Sequence, residues 1–220
     1  YLQEWGMDPK MPTSWRFQKD IAGSGALGDL GAHIIDLARF LVGEIRALTA
    51  MTQTFVRERP MPDRPGEMGK VTVDDVFVST VAFENGAIGT IEASKVATGR
   101  KNQNTFEING SRASVVFDLE RLNELQVYLR EGASQTLQGF SDVSITEREH
   151  PFYRYWWPHG HIIGWEHSFV HEVEALMRAI MLGEPVAPYG ATFEDGYRAL
   201  VIGEAALESA ETGRRIEIQY

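Results

Sequence analysis

With 220 residues, 43% of them hydrophobic, the chain can bury a sizeable core as one large domain or two small ones, and a single domain over 1–220 is expected. A net charge of −10 without a long Lys/Arg run argues against nucleic acid or an anionic membrane surface as partner, and the absence of cysteine excludes disulfides and thiol catalysis. No apolar run approaches the roughly 18 residues of a membrane span and no signal-peptide pattern is present, so a cytoplasmic protein is expected. Because the first residue is Tyr1, the chain reads as part of something longer, with an N-terminal portion before it.

In chain order, Tyr1 to Trp5 reads as the end of a strand, and the Pro-containing segment Asp8 to Ser14 leads to Trp15-Arg16-Phe17. A glycine-rich loop, G-S-G-A-L-G-D-L-G, then runs from Gly23 into a helix that starts near Ala26. Leu27, Leu30, Ile34, Leu37 and Leu41 make its apolar stripe, and Gly43 is its C-cap. Ile45 to Val56 is a strand. Arg57 to Lys70, with three prolines and two glycines, is a surface loop. Two hairpins follow: Val76–Phe83 with Ala87–Val96 around Asn85-Gly86, and Thr105–Ile108 with Ser114–Phe117 around Asn109-Gly110. Leu125 to Leu129 alternates as a strand, and a weaker strand lies between Thr136 and Thr146. After an aromatic, histidine-rich segment from His150, Phe169, Val173, Leu176, Met177 and Ile180 give the helix Trp165–Leu182 its apolar face. A second helix, Phe193–Thr212, ends at Gly213 before a short strand, Ile216–Ile218. The expected class is α+β: an open, mainly antiparallel sheet with helices on one face.

Chemistry concentrates at the start of the first helix. Asp29 and His33 are four residues apart, a spacing at which side chains meet on a helix surface, so the carboxylate can orient or polarise the imidazole. Such a pair is hardware for general acid/base work. A structural histidine beside a solvated aspartate is the alternative.

The strands raise a second expectation. Val76, Val78 and Ala82 are apolar on one face of their strand, and Phe77, Val81 and Phe83 on the other. A sheet that is apolar on both sides needs a second cover, most simply another subunit or a missing domain. A homodimer or homotetramer through the open face is expected, with Val76 to Val96 and Leu125 to Arg130 in the contact even for the isolated chain.

Four stretches, in order over nearly the whole chain, carry a family resemblance: G-S-G-A-L-G-D-L-G-A-H-I-I-D-L-A-R-F-L-V-G, G-A-I-G-T-I-E-A-S-K, I-N-G-S-R-A-S-V-V-F-D-L-E-R-L-N-E-L and F-E-D-G-Y-R-A-L-V-I-G-E-A-A-L-E-S-A-E-T-G-R. Together they resemble the C-terminal domain of Gfo/Idh/MocA oxidoreductases, the glucose-fructose oxidoreductase and inositol dehydrogenase family. W-W-P-H-G-H-I-I-G-W-E-H-S-F looks most like the sugar dehydrogenases within it, of the levoglucosan dehydrogenase and anhydrofructose reductase type.

The resemblance implies a two-domain enzyme in which an N-terminal Rossmann domain binds NAD or NADP and this chain supplies the substrate side for a sugar or polyol. No G-x-G-x-x-G follows a strand here, and the family's Glu-Lys-Pro segment is absent, so the chain alone is expected to be inactive. By the same resemblance His33 is the catalytic base for the substrate hydroxyl, Asp29 orients it, and the missing lysine assists. Trp15, Arg16, Lys95 and His161 are implied on the substrate side. Many relatives carry arginine where Lys95 stands.

A competing class comes from the later histidines. His159-x-His161 and His167-x-x-x-His171 have spacings that metal sites use, with Glu166 and Glu172 as possible oxygen ligands, so a zinc or manganese hydrolase is the alternative function. No further ligand signature closes that set, and the primary reading assigns no metal. A non-catalytic oligomerisation module is a third reading.

Overall fold

The computed structural model describes residues 1–131 and 138–220. They form two compact units, Tyr1–Asn102 with Phe193–Tyr220, and Gln103–Thr192. Both are antiparallel and open, the α+β class expected.

In the first unit, Trp15–Phe17 makes a 3-10 turn and Lys19–Ala22 one helical turn, α1. A π-turn at Leu27–Gly31 continues into α2, Ala32–Val42, and stops at Gly43, whose φ of 124° no side-chain-bearing residue adopts readily. Then come β1 (Ile45–Gln53), β2 (Glu58–Pro60), β3 (Met68–Lys70), β4 (Val76–Phe83) and β5 (Ile88–Ser94). β1, β4 and β5 pair antiparallel, and the chain's last strand, β10 (Ile216–Glu217), joins the free edge of β1. The hairpin at Asn85-Gly86 forms as read: Phe83 pairs with Ala87, and Gly86 takes the positive φ, 90°, that a three-residue loop demands.

One face of this sheet holds the core. Leu27, Leu30, Ile34 and Ile35 pack with Leu48, Phe77, Val81 and Ile91 from the strands and with Ala199, Ile202 and Ala206 from the final helix, Phe193–Thr212. Arg39, in α2, fastens the helix end by a bidentate pair with Glu44, at 3.0 and 2.9 Å, and a bond to the carbonyl of Asp195. On the other face Met51, Val78 and Ile88 are exposed among the described residues. Met51, Val78 and Glu92 form one aligned row on it, Thr49, Thr80 and Thr90 the next.

Two boundaries differ from the sequence reading. β1 stops at Gln53, because the amides of Phe55 and Val56 both donate to Asp75 Oδ2, at 2.7 and 2.9 Å, and leave the ladder. The segment Arg57 to Lys70 is a β2–β3 ribbon whose Arg59 is completely buried, with its guanidinium on the carbonyls of Gly6 and Asp8 and over the Phe17 ring.

The second unit contains β6 (Thr105–Asn109), β7 (Ala113–Asp118), β8 (Glu124–Leu129) and β9 (Ser141–Ser144), paired in that order. The weaker strand read from Thr136 begins outside the described residues and appears as β9. Phe106, Ile108, Val115, Phe117, Leu125, Val127 and Val143 share one face, whereas Glu107, Gln126 and Asp142 share the other with Val116 as the apolar member of their row. The helix α3, Trp165–Leu182, has the bounds expected but turns its apolar residues outward: Phe169, Val173, Leu176, Met177 and Ile180 are all exposed. Its inner side carries His171 against Phe152 and Trp156. The last helix, α4, is the Phe193–Thr212 helix already described.

Candidate active site

The glycine-rich loop is shaped by what lies under it. Gly25 N and Leu27 N donate to the two carboxylate oxygens of Asp74, at 2.6 and 2.8 Å, and Ala26 N donates to the Asp74 carbonyl at 3.1 Å. A β-carbon at Gly25 would stand 1.9 Å from that carbonyl oxygen and 2.9 Å from Lys95 Nζ. Gly25→Ala is therefore expected to force backbone apart and cost about 1–3 kcal/mol, read as a lower midpoint of denaturant unfolding. An unchanged midpoint would mean that the loop has slack.

From this loop the π-turn carries Asp29 and the first turn of α2 carries His33, both exposed. Single π-turns within helices cluster at functional sites. No hydrogen bond or ion pair joins Asp29 to His33 among the described residues. The two stand on the same solvent border of the helix.

The sequence reading missed the residue that touches the imidazole. The Tyr1 ring meets His33 edge-on, with centroids 6.1 Å apart. Its hydroxyl bonds Asn102 and accepts from Gln3 Nε2 at 3.3 Å. Burial raises the Tyr1 phenol pKa, the Gln3 bond opposes this, and the Asp29 charge adds to it. Tyr1 and Gln3 lie two apart in an extended segment that bonds Ser94, so a period-two reading of the first five residues puts them on one side.

Trp15 is 53% exposed, and the Arg16 guanidinium lies over its ring at 4.5 Å. Among the described residues Arg16 has no ion-pair partner. An uncommitted guanidinium backed by an aromatic plane can take a hydroxyl or an anionic group.

Lys95 is the residue whose placement departs most from a substrate contact. It is 1% exposed, under the loop, with Nζ 3.3 Å from Asp75 Oδ1 and the rings of Phe17 and Trp5 at 5.1 and 5.9 Å. The pair is close enough for charge but off the hydrogen-bonding direction: among the described residues neither Nζ nor Asp75 Oδ1 has a hydrogen-bond partner. Burial lowers the Lys95 pKa, and the Asp75 and Asp74 charges oppose it.

The four histidines of the metal reading lie in the second unit and are accounted for one at a time. His161 is exposed, with Nδ1 2.7 Å from the Pro158 carbonyl and its ring beside Trp157. His159 is 4.0 Å from Glu147. His167 Nδ1 accepts from Gly164 N at 3.0 Å, at the start of α3. His171 Nε2 accepts from Trp156 Nε1 at 2.8 Å and stacks on Phe152, its pKa lowered first by burial. Among the described residues no three His, Asp or Glu side chains converge on a metal position. The hydrolase alternative finds no support in this arrangement. Nor is any helix of the described residues long and apolar enough to cross a membrane.

A family profile described as the GFO/IDH/MocA C-terminal domain matches residues 1–116. The chain is 43% identical, over 222 residues, to the levoglucosan dehydrogenase of Pseudarthrobacter phenanthrenivorans, covering 96% of this chain and 56% of that protein. An oxidoreductase domain protein from Kribbella flavida superposes with a TM-score of 0.93 at 43% identity, over 100% of this chain and 58% of that one. A levoglucosan dehydrogenase in complex with NADH and levoglucosan gives a TM-score of 0.91 at 42% identity, over 100% and 57%. The chain thus spans a little over half the length of each.

Proposed function

The chain belongs to the Gfo/Idh/MocA family of oxidoreductases, and from that premise we propose that it is the substrate-binding and catalytic-base part of an NAD(P)-dependent dehydrogenase acting on a sugar or polyol hydroxyl. The observation that carries this reading is the presentation of Asp29 and His33 on an exposed helix start, above a loop that is tied to the sheet.

Dinucleotide binding does not fit the glycine loop of this chain. Its amides at Gly25 and Leu27, the groups that would cradle a pyrophosphate, are taken by the Asp74 carboxylate. NAD or NADP, the hydride acceptor of this chemistry, is assigned to the rest of the enzyme.

What these residues do is move a proton and hold a sugar. An alcohol that keeps its proton does not readily release hydride, so a base must take the hydroxyl proton as the C–H bond breaks, and His33 is the base. The Asp29 carboxylate stands on the same exposed border of the helix start as His33. Tyr1 limits the ring's freedom from one side. Trp15 and Arg16 offer a flat apolar face and a charged donor to a polyhydroxylated substrate; in the second unit, taken by itself, His161 lies exposed beside Trp157, an imidazole and an aromatic plane that suit a sugar.

The test is direct. The intact enzyme, given levoglucosan, glucose and linear polyols with NAD or NADP, is expected to form reduced nicotinamide with at least one sugar. Failure across an extended sugar and polyol panel would refute the substrate class.

The open face of the first sheet is assigned to a second copy of the protein. Met51 and Ile88 are 76% and 85% exposed there, with Val78 between their strands and Glu92 as the charged member. Permanent interfaces bury on the order of 2,000 Å² or more. Light scattering of the intact protein is expected to give a multiple of the protomer mass, and Val78→Arg to shift it toward the protomer. A protomer mass for the unmodified protein would rule the contact out.

A further inference from the structure

We propose that Asp74 is the positioning residue for the base: it fixes the loop from which Asp29 and His33 project, without itself touching substrate. The inference rests on the reading of His33 as the base.

Asp74 is 7% exposed and meets the loop at three successive residues, with both carboxylate oxygens and its own carbonyl. Helix starts leave amides unpaired, and ordinarily a side chain just before the helix caps them. Here Ala26 precedes the π-turn and has nothing to cap with, and the cap comes from 47 residues further on. That distance in sequence matters, because Asp74 is anchored independently of the helix. It stands two residues before β4, and its neighbour Asp75 donates its amide to Gln53, receives the Lys95 amide, and accepts from Phe55 and Val56. Lys95 Nζ lies against Gly25 from below. Sheet position is thereby passed through Asp74 to Leu27, two residues before Asp29 and six before His33.

A cap alone contributes modestly to stability, whereas a base displaced by about 1 Å can lose a hundredfold in rate. The two roles separate in a double-mutant cycle on the intact enzyme, with Asp74→Asn made in the natural and the His33→Ala backgrounds. The amide keeps one acceptor but turns a donor toward a donor. Asp74→Asn is expected to lower kcat about tenfold or more when His33 is present, at unchanged cofactor Kd. In the His33→Ala background it should cost nothing further. Equal losses in both backgrounds, or no loss with His33 present, would overturn the proposal. A fully active His33→Ala enzyme would instead remove the reading on which it rests. Circular dichroism confirms that each variant folds; if Asp74→Asn does not, Asp74→Glu, which keeps the charge and both acceptors at a longer reach, is taken through the same cycle and judged by the same outcomes.

Discussion

His33→Ala is expected to lower kcat of the intact enzyme about a hundredfold or more, the usual worth of a positioned general base, while cofactor Kd stays within about twofold. The imidazole is exposed on the first turn of α2 and is not among the buried core residues, so its removal should leave the fold intact and the loss can be read as chemistry. Its ring contact is with Tyr1, at the edge. Substrate KM should change less than kcat, because a group that works by taking the proton is needed most in the transition state. Asp29→Asn should reduce kcat less than loss of the base itself, since the carboxylate makes no direct bond to the ring. Turnover in His33→Ala equal to that of the unmodified enzyme would take the residue out of the mechanism.

Elements whose signal is local were legible in the sequence. The hairpin at Asn85-Gly86, the helices Trp165–Leu182 and Phe193–Thr212, and the glycine loop entering a helix all stand where periodicity and turn chemistry put them, whereas the hairpin read at Asn109-Gly110 turns at Ser111-Arg112, with Asn109 paired to Ser114 in the ladder. What escaped depends on groups brought together over long sequence separations. Arg57 to Lys70 looks like surface by composition, yet Arg59 is interior because two carbonyls more than fifty residues earlier receive its guanidinium. Val56 has the composition of a strand residue, but its amide is claimed by Asp75. The apolar stripe on α3 was visible, although nothing in a periodicity says whether such a stripe is covered. Spacing alone suggested a metal for the histidines, and it is blind to the single partners, Gly164 for His167 and Trp156 for His171, that occupy their nitrogens. For the acid/base pair the sequence supplied the residues and their common border. Tyr1 on His33 and Asp74 under the loop needed the tertiary contacts.

The largest stability effect is expected at the buried pair beneath the site. Asp75 is 0% and Lys95 1% exposed, so each charge has given up its hydration for the other. Removing one member of such a pair typically costs about 3–5 kcal/mol, because the remaining charge stays buried without compensation, whereas replacing both is often nearly neutral. Asp75→Asn isolates that term. The asparagine oxygen still accepts from Phe55 and Val56, so the end of β1 keeps its bonds while the charge is lost. Urea unfolding of Asp75→Asn should show a loss of roughly 3 kcal/mol at neutral pH, and adding Lys95→Met should restore most of it. The pH dependence has a definite sign. Burial already holds the folded Lys95 pKa below its usual value, and without the Asp75 charge it must fall further. Between that lowered pKa and the unfolded value of about 10.4 the unfolded state binds more protons, so stability rises with pH. The Asp75→Asn penalty should accordingly be full below the folded pKa of Lys95 and shrink as pH climbs toward about 10, and the double variant should lose this dependence. A penalty that is the same at both ends of the range, or one that Lys95→Met deepens, would mean that Asp75 acts through its backbone partners and not through charge.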